Sequence, residues 1–237
     1  MKRIIELEKD NKKIEITAGY GWPGIIYECQ MPDYDKIKNE IVNFIKEIKL
    51  PKPKNFESGA IGPHEQPHKK FLEESYPNLF DNQENKIFNE IKRFCLNSVL
   101  NVAVNVNSDF TDVSHWIIKP LDSWYHITKN KGYHDVHAHP YASWCGIFYA
   151  DIGDANIETQ NGINRFYSPM SDVINQLVGN EYVGVNSIDA APEDGKLLIF
   201  PGFIKHSALP YFGKKDRIII SFNAEIGDSR VVLKNNN

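Results

Sequence analysis

Arg217-Ile218-Ile219-Ile220-Ser221-Phe222-Asn223 reads as a β-strand with two unlike faces. Side chains alternate across a strand, so Ile218, Ile220 and Phe222 form an apolar face suited to a core. Arg217, Ile219, Ser221 and Asn223 share the other face, which places a cation beside apolar neighbours. A buried unpaired charge is expensive, so Arg217 needs an anion. A guanidinium takes a carboxylate through two parallel hydrogen bonds, and the Ser221 hydroxyl can add a third. The competing reading is an exposed arginine paired with Asp216 or Asp228.

The strand pattern extends upstream. Short β-like runs occupy 113–119, 122–128, 134–139, 143–151, 163–167, 182–189, 196–200, 203–208 and 215–226. Lys131-Gly132, Gly153-Asp154, Asn161-Gly162, Asp194-Gly195, Pro201-Gly202 and Gly213 punctuate them as turns. Many short strands at this spacing predict a sandwich or barrel. Ahead of them, Ile14-Glu15-Ile16-Thr17 and Gly24-Ile25-Ile26-Tyr27 read as strands. Apolar residues at helical spacing predict helices over about 33–48 and 82–100, which brace the sheet. Residues 52–81, rich in Pro and Gly, have no regular pattern and read as a lid loop carrying His64 and His68. The chain is thus expected to be one domain over 1–237. Residues 1–112 supply strands, helices and the lid, 113–226 form the β core, and 227–237 are a tail.

Composition narrows the function. A net charge of −4 gives no basic footprint for nucleic acid, and no apolar run is long enough to span a membrane. The N-terminus turns acidic too soon for a signal peptide. Cys29, Cys95 and Cys145 are widely spaced and read as reduced thiols of a cytoplasmic protein.

Histidines supply the chemistry. In Gly132-Tyr133-His134-Asp135-Val136-His137-Ala138-His139-Pro140, His137 and His139 stand two apart and point to one face of a strand. Pro140 favours an extended backbone before it and a strand end. His206 follows the Pro201-Gly202 turn on another strand. Three imidazoles on two strands can hold one face of an octahedral ion and leave positions open, as in non-haem iron sites. Asp135 shares a face with His137 and is an alternative carboxylate ligand. His134, three residues from His137, is expected to face away, and His115 and His126 to be structural. Trp124 and Trp144 read as core.

Trp124-Tyr125-His126-Ile127, His137-Ala138-His139-Pro140, Ser143-Trp144-Cys145-Gly146-Ile147-Phe148-Tyr149, Gly195 to Gly202, His206 and Arg217 to Asn223 together resemble the 2-oxoglutarate/Fe(II)-dependent oxygenase superfamily. The resemblance covers roughly residues 113–226. It implies a double-stranded β-helix (a jelly-roll, cupin-like barrel) with flanking helices. His137 and His206 correspond to the two histidine ligands, and His139 falls where the superfamily usually has aspartate. Arg217 corresponds to the residue that grips the distal carboxylate of 2-oxoglutarate, with Ser221 as helper. Tyr149 sits where related enzymes place an aromatic hydroxyl near that co-substrate. The implied reaction uses Fe(II), 2-oxoglutarate and O2 to hydroxylate a small molecule or protein side chain. The 52–81 loop, with 169–179, would close over the site. The rivals are a non-catalytic barrel that binds an acidic ligand, and a three-histidine dioxygenase that uses no 2-oxoglutarate. Edge strands of an open barrel can pair, which allows a homodimer.

Overall fold

The structure, a computed structural model, describes residues 2–9, 12–20, 25–48, 71–75, 79–81, 85–169 and 186–234. The lid reading of 52–81 falls largely outside the described residues, as do His64, His68 and most of 169–179. Twelve described strands form two sheets. They are β1 Lys2–Lys9, β2 Lys12–Tyr20, β3 Ile25–Gln30, β4 Leu72–Glu74, β5 Trp116–Thr128, β6 His134–His137, β7 Trp144–Asp151, β8 Asn164–Tyr167, β9 Ser187–Ala190, β10 Lys196–Pro201, β11 His206–Ala208 and β12 Arg217–Asp228. The large sheet runs β1-β2-β3-β10-β7-β12-β5-β4, and the small one runs β6-β11-β8-β9. All the recorded pairings are antiparallel. The architecture is the expected mainly-β, double-stranded β-helix class, and the two sheets are not joined into a closed barrel.

β12 is the spine of the large sheet, pairing with β5 on one side and β7 on the other. Its apolar face, Ile218, Ile220, Phe222 and Ala224, packs with Phe148, Ile199 and Tyr125 against two helices, α1 (Lys38–Glu47) and α2 (Lys86–Asn107). The helices contribute Ile41, Ile45, Phe88, Ile91, Cys95 and Val99, all fully buried. On the opposite face Cys145, Ile147, Leu198, Phe200 and Ile219 pack with Phe166 and Ala190 of the small sheet. The functional pocket opens on this second side, between the sheets.

Several boundaries differ from the sequence reading for physical reasons. The runs 113–119 and 122–128 are one strand, β5, since the register of β12 slips between Asn223 and Ala224 opposite Pro120 to Asp122. The extra residue forms a bulge, and a bulge tolerates a proline that lacks an N–H. Helix α1 starts later than Asp33, after a 3-10 turn at Tyr34–Lys36. α2 runs past Leu100 to Asn107 because Val102 and Ala103 continue its buried stripe. Its start is capped by Asn85, whose side chain accepts the Phe88 N–H at 2.9 Å. β4 and a 3-10 turn at Leu79–Asp81 lie within the segment expected to be irregular; three residues are too few to show a period. The tail forms a helix, α3 (Ser229–Lys234), directly after β12. His115 lies in the exposed turn before β5, not within a strand.

All three cysteines are free and buried, and burial pushes the Cys29 thiol up to about 12. Among the described residues no helix is long and apolar enough to cross a membrane.

Gly146 of β7 faces Phe222 of β12, and a Cβ there would sit 2.2 Å from the buried ring. Gly146→Ala should therefore lower stability by about 1–3 kcal/mol in urea unfolding, the usual cost of overpacking. Adding Phe222→Leu should recover part of that loss; no recovery would refute the steric account.

Candidate metal and co-substrate site

Strand pairing brings the histidines together. His206 of β11 stands directly opposite His137 of β6 in the antiparallel register, with ring centroids 4.2 Å apart. His139 follows the end of β6, and its N–H donates to the Gly202 carbonyl at 2.8 Å. That contact ties the β6 exit to the β10–β11 turn. It also explains the glycine: a Cβ on Gly202 would lie 2.4 Å from the His139 carbonyl oxygen and 2.3 Å from that of Ala142. The His139 ring lies 5.0 Å from that of His137 and 5.5 Å from that of His206. One ligand atom from each of the three imidazoles lies within 4.8 Å of the others.

Hydrogen bonds orient two of the rings. His137 Nδ1 lies 2.7 Å from the Asp135 carbonyl, and His206 Nδ1 lies 3.1 Å from that of Ile204. A carbonyl oxygen only accepts, so each Nδ1 carries the proton and each Nε2 keeps its lone pair for a ligand. The Asp135 side chain is exposed and lies outside the converging group. Asp135 therefore acts here through its backbone.

His134 departs from expectation. Its ring lies 4.2 Å from that of His137 and lines the same pocket. Two steps of β11, His206 to Ala208, oppose three steps of β6, His137 to His134. This irregularity breaks strict alternation and turns both imidazoles to one side. Trp124 also lines the pocket, contrary to its core reading, and His126 lines it too while being, as expected, a buried, hydrogen-bonded residue of β5. Trp124 Nε1 donates to His126 Nε2 at 3.0 Å, and His126 stacks on His134 at 5.3 Å. Glu74 completes a second converging group with His126 and His134. There the His126 Nε2 lone pair already accepts from Trp124. Trp144, as expected, packs on the helix side.

Arg217 is 1% exposed, which excludes the surface-pair reading. Its guanidinium donates through an Nη to Asn164 Oδ1 at 2.7 Å and lies 5.5 Å from the centre of the Tyr149 ring. The Tyr149 hydroxyl donates to the same Asn164 oxygen at 2.8 Å. Arg217 Nε is buried without a hydrogen-bond partner among the described residues. Among the described residues no carboxylate pairs with this charge, and an unfilled donor on a buried guanidinium calls for an anionic ligand. Tyr211 sets the position of Arg217. Its hydroxyl donates to the Lys215 carbonyl at 2.7 Å and accepts the Asp154 N–H at 2.8 Å, pinning the β11–β12 connection. Ser221 lines the pocket but stands four residues up the strand, about 13 Å from Arg217 at the usual rise. Ser221 pairs with Trp124 across β5, and the Trp124 ring lies 5.7 Å from that of His139.

Electrostatics suit a metal. Burial, reinforced by the neighbouring imidazoles, holds His137 down at about 2 and His206 at about 3, from the usual 6.5. Burial also lowers His139. The three rings are neutral near pH 7, the form that binds a cation. Burial raises the Tyr149 hydroxyl and lowers the Arg217 guanidinium.

Five residues escaped the sequence reading as functional groups: Asn164, Trp124 and Asn223 line the pocket, and Asp122 and Tyr141 stand behind it. Trp124 and Asp122 share the alternating face of β5 that lies against Ser221 and Asn223 of β12, a signal the register makes plain. Nothing in the sequence ties Asn164 to Arg217, 53 residues away.

Residues 122–223 match a family described as "Putative 2OG-Fe(II) oxygenase". No curated protein sequence matches the chain. Among solved structures the fold is similar to that of HygX from Streptomyces hygroscopicus, determined with nickel and 2-oxoglutarate bound. The TM-score is 0.51 at 11% identity, covering 86% of this chain and 83% of HygX. It is also similar to SnoN, a non-haem α-ketoglutarate-dependent epimerase from nogalamycin biosynthesis. There the TM-score is 0.53 at 8% identity, covering 84% and 76% of the two chains. At such identities the likeness is one of fold. The family match, over residues 122–223, spans the three converging histidines and Arg217 and is the chain's similarity to the 2OG-Fe(II) oxygenases.

The depressed histidines predict a pH dependence of the metal-free protein. The unfolded chain takes up protons at these imidazoles below about 6.5, and the folded state does so only near 2–3. The unfolded state binds more protons in that window, so stability rises with pH across it and the contribution vanishes above 6.5. Thermal midpoints should fall from pH 6.5 to pH 4, and fall less steeply in His206→Gln. An unchanged slope in the variant would contradict the assignment.

Proposed function

We propose that the chain is a dioxygenase that holds Fe(II) on His137, His139 and His206 and grips the distal carboxylate of 2-oxoglutarate with Arg217. One observation carries the reading: three neutral imidazoles converge in a pocket also lined by Asn164, which holds the buried guanidinium of Arg217, whose Nε has no hydrogen-bond partner among the described residues. The donor set fits a non-haem ion with open positions. With iron and co-substrate bound, such a centre couples oxidative decarboxylation of 2-oxoglutarate to succinate and CO2 with oxidation of a substrate C–H bond by O2.

The residues of the chain orient and enclose. The Asp135 and Ile204 carbonyls fix the imidazoles of His137 and His206 with Nε2 presented. Asn164, which accepts from both Arg217 and Tyr149, holds the guanidinium in place and is the group an incoming carboxylate would displace. Tyr149 walls the guanidinium on one side and can donate to the same carboxylate. Ser221 lies at the metal end of the pocket, where it meets the chelating end of the co-substrate. Phe200, Ile147 and Ile219 line the space between and exclude water. The substrate is a small molecule or a protein side chain, and the free thiols accord with a cytoplasmic setting.

The test measures succinate formed from 2-oxoglutarate in air with added Fe(II), without any substrate. Slow uncoupled turnover is expected in the native protein. Arg217→Leu should weaken apparent 2-oxoglutarate affinity on the order of 10²-fold, the cost of breaking a buried charge pair, while metal binding persists. Turnover indifferent to Arg217 would overturn the clamp. Iron binding with no effect of 2-oxoglutarate would favour a three-histidine centre that does not use it.

A further inference from the structure

A centre with three neutral imidazoles lacks the negative charge that a carboxylate ligand supplies in the two-histidine, one-carboxylate arrangement. A carboxylate lies one residue further out. Asp122 Oδ2 accepts the Tyr141 hydroxyl at 3.1 Å, and Tyr141 Oη lies 3.4 Å from His139 Nδ1. Asn223, which is fully buried, donates through Nδ2 to Tyr141 Oη at 2.9 Å, and its Nδ2 also lies 3.4 Å from His139 Nδ1. Its amide orientation is fixed from behind by the Cys145 thiol, which donates to Asn223 Oδ1 at 3.0 Å.

Counting protons decides the direction of this chain. A phenol has one proton and can accept two hydrogen bonds. The Tyr141 proton goes to Asp122, so its oxygen is left as an acceptor for Asn223 and for His139. His139 then donates from Nδ1 and keeps its Nε2 lone pair for the converging group. The opposite arrangement, with Asn223 donating to His139 Nδ1, would put the proton on Nε2 and block coordination. Asp122 selects between the two. Its other oxygen, Oδ1, is buried without a hydrogen-bond partner among the described residues. Fold stability alone does not explain that costly arrangement. A fixed anion beside a divalent cation does.

We propose that Asp122 is the compensating anion of the metal centre, acting on His139 through Tyr141 as a positioning residue. The proposal rests on the metal reading above. Metal-ligating histidines commonly donate their second N–H to a carboxylate or another acceptor, which fixes the tautomer and raises ligand basicity. Here a tyrosine is interposed, and the charge missing from the ligand set stands behind it.

Two measurements test this. In the metal-free protein, nitrogen-15 NMR of the imidazoles should show His139 as the Nδ1–H tautomer, and Asp122→Asn and Tyr141→Phe should each shift it toward Nε2–H. Co(II) affinity, read from its visible d–d bands, should fall about 10–100-fold in either variant, the usual weight of such partners. The same Asp122→Asn change should cost less than about threefold in a His139→Asp background, where the ligand brings its own charge. An equal loss in both backgrounds, no loss in the native background, or an unmoved tautomer would overturn the relay. A native protein that binds no Co(II) would instead overturn the metal reading, and the tautomer measurement would still decide the relay.

Discussion

The register between β6 and β11 is the constraint on which the site depends. It sets His137 opposite His206, 69 residues apart in sequence, at a ring separation of 4.2 Å. Register in a two-faced sheet is strongly specified, because a slip of one residue turns every side chain over. The small sheet buries Phe166 and Ala190 against the large one, so a slip would expose core as well as scatter the imidazoles. Core packing and site assembly therefore fix the same register.

Burial then determines the chemistry. Burial keeps His137 and His206 neutral, and it leaves Arg217 with a donor unfilled among the described residues. Neutral imidazoles attract a cation and a buried guanidinium attracts an anion. A dianionic co-substrate that also chelates metal satisfies both demands at once. On the proposed reading, the protein carries the cost of a buried, incompletely paired arginine until such a ligand binds, which would account for a charge among the isoleucines of β12.

The class of fold was legible because the apolar alternation of β12 and the turn residues between short strands survive in the sequence; His137, His206 and Arg217 stand on those strands, and His139 just past the end of one. What was not legible has physical causes. β5 looked like two strands, since Pro120 marks a bulge as readily as a break. His134 was assigned to the wrong side because the irregularity in β6 is invisible without its partner strand. Asn164 belongs to the arginine site through a contact across sheets that no local pattern encodes. The three-residue strand β4 is shorter than any period that could announce it.

The central claim is that one pocket holds a metal at the histidines and a 2-oxoglutarate carboxylate at Arg217. The most direct measurement is an anaerobic titration of the metal-free protein with Fe(II) and 2-oxoglutarate, watching for the visible metal-to-ligand charge-transfer absorption. The account predicts a saturable band at one iron per chain, absent in His137→Ala and His206→Ala and weakened in Arg217→Leu. Folded, iron-loaded protein that shows no band on adding 2-oxoglutarate would contradict it.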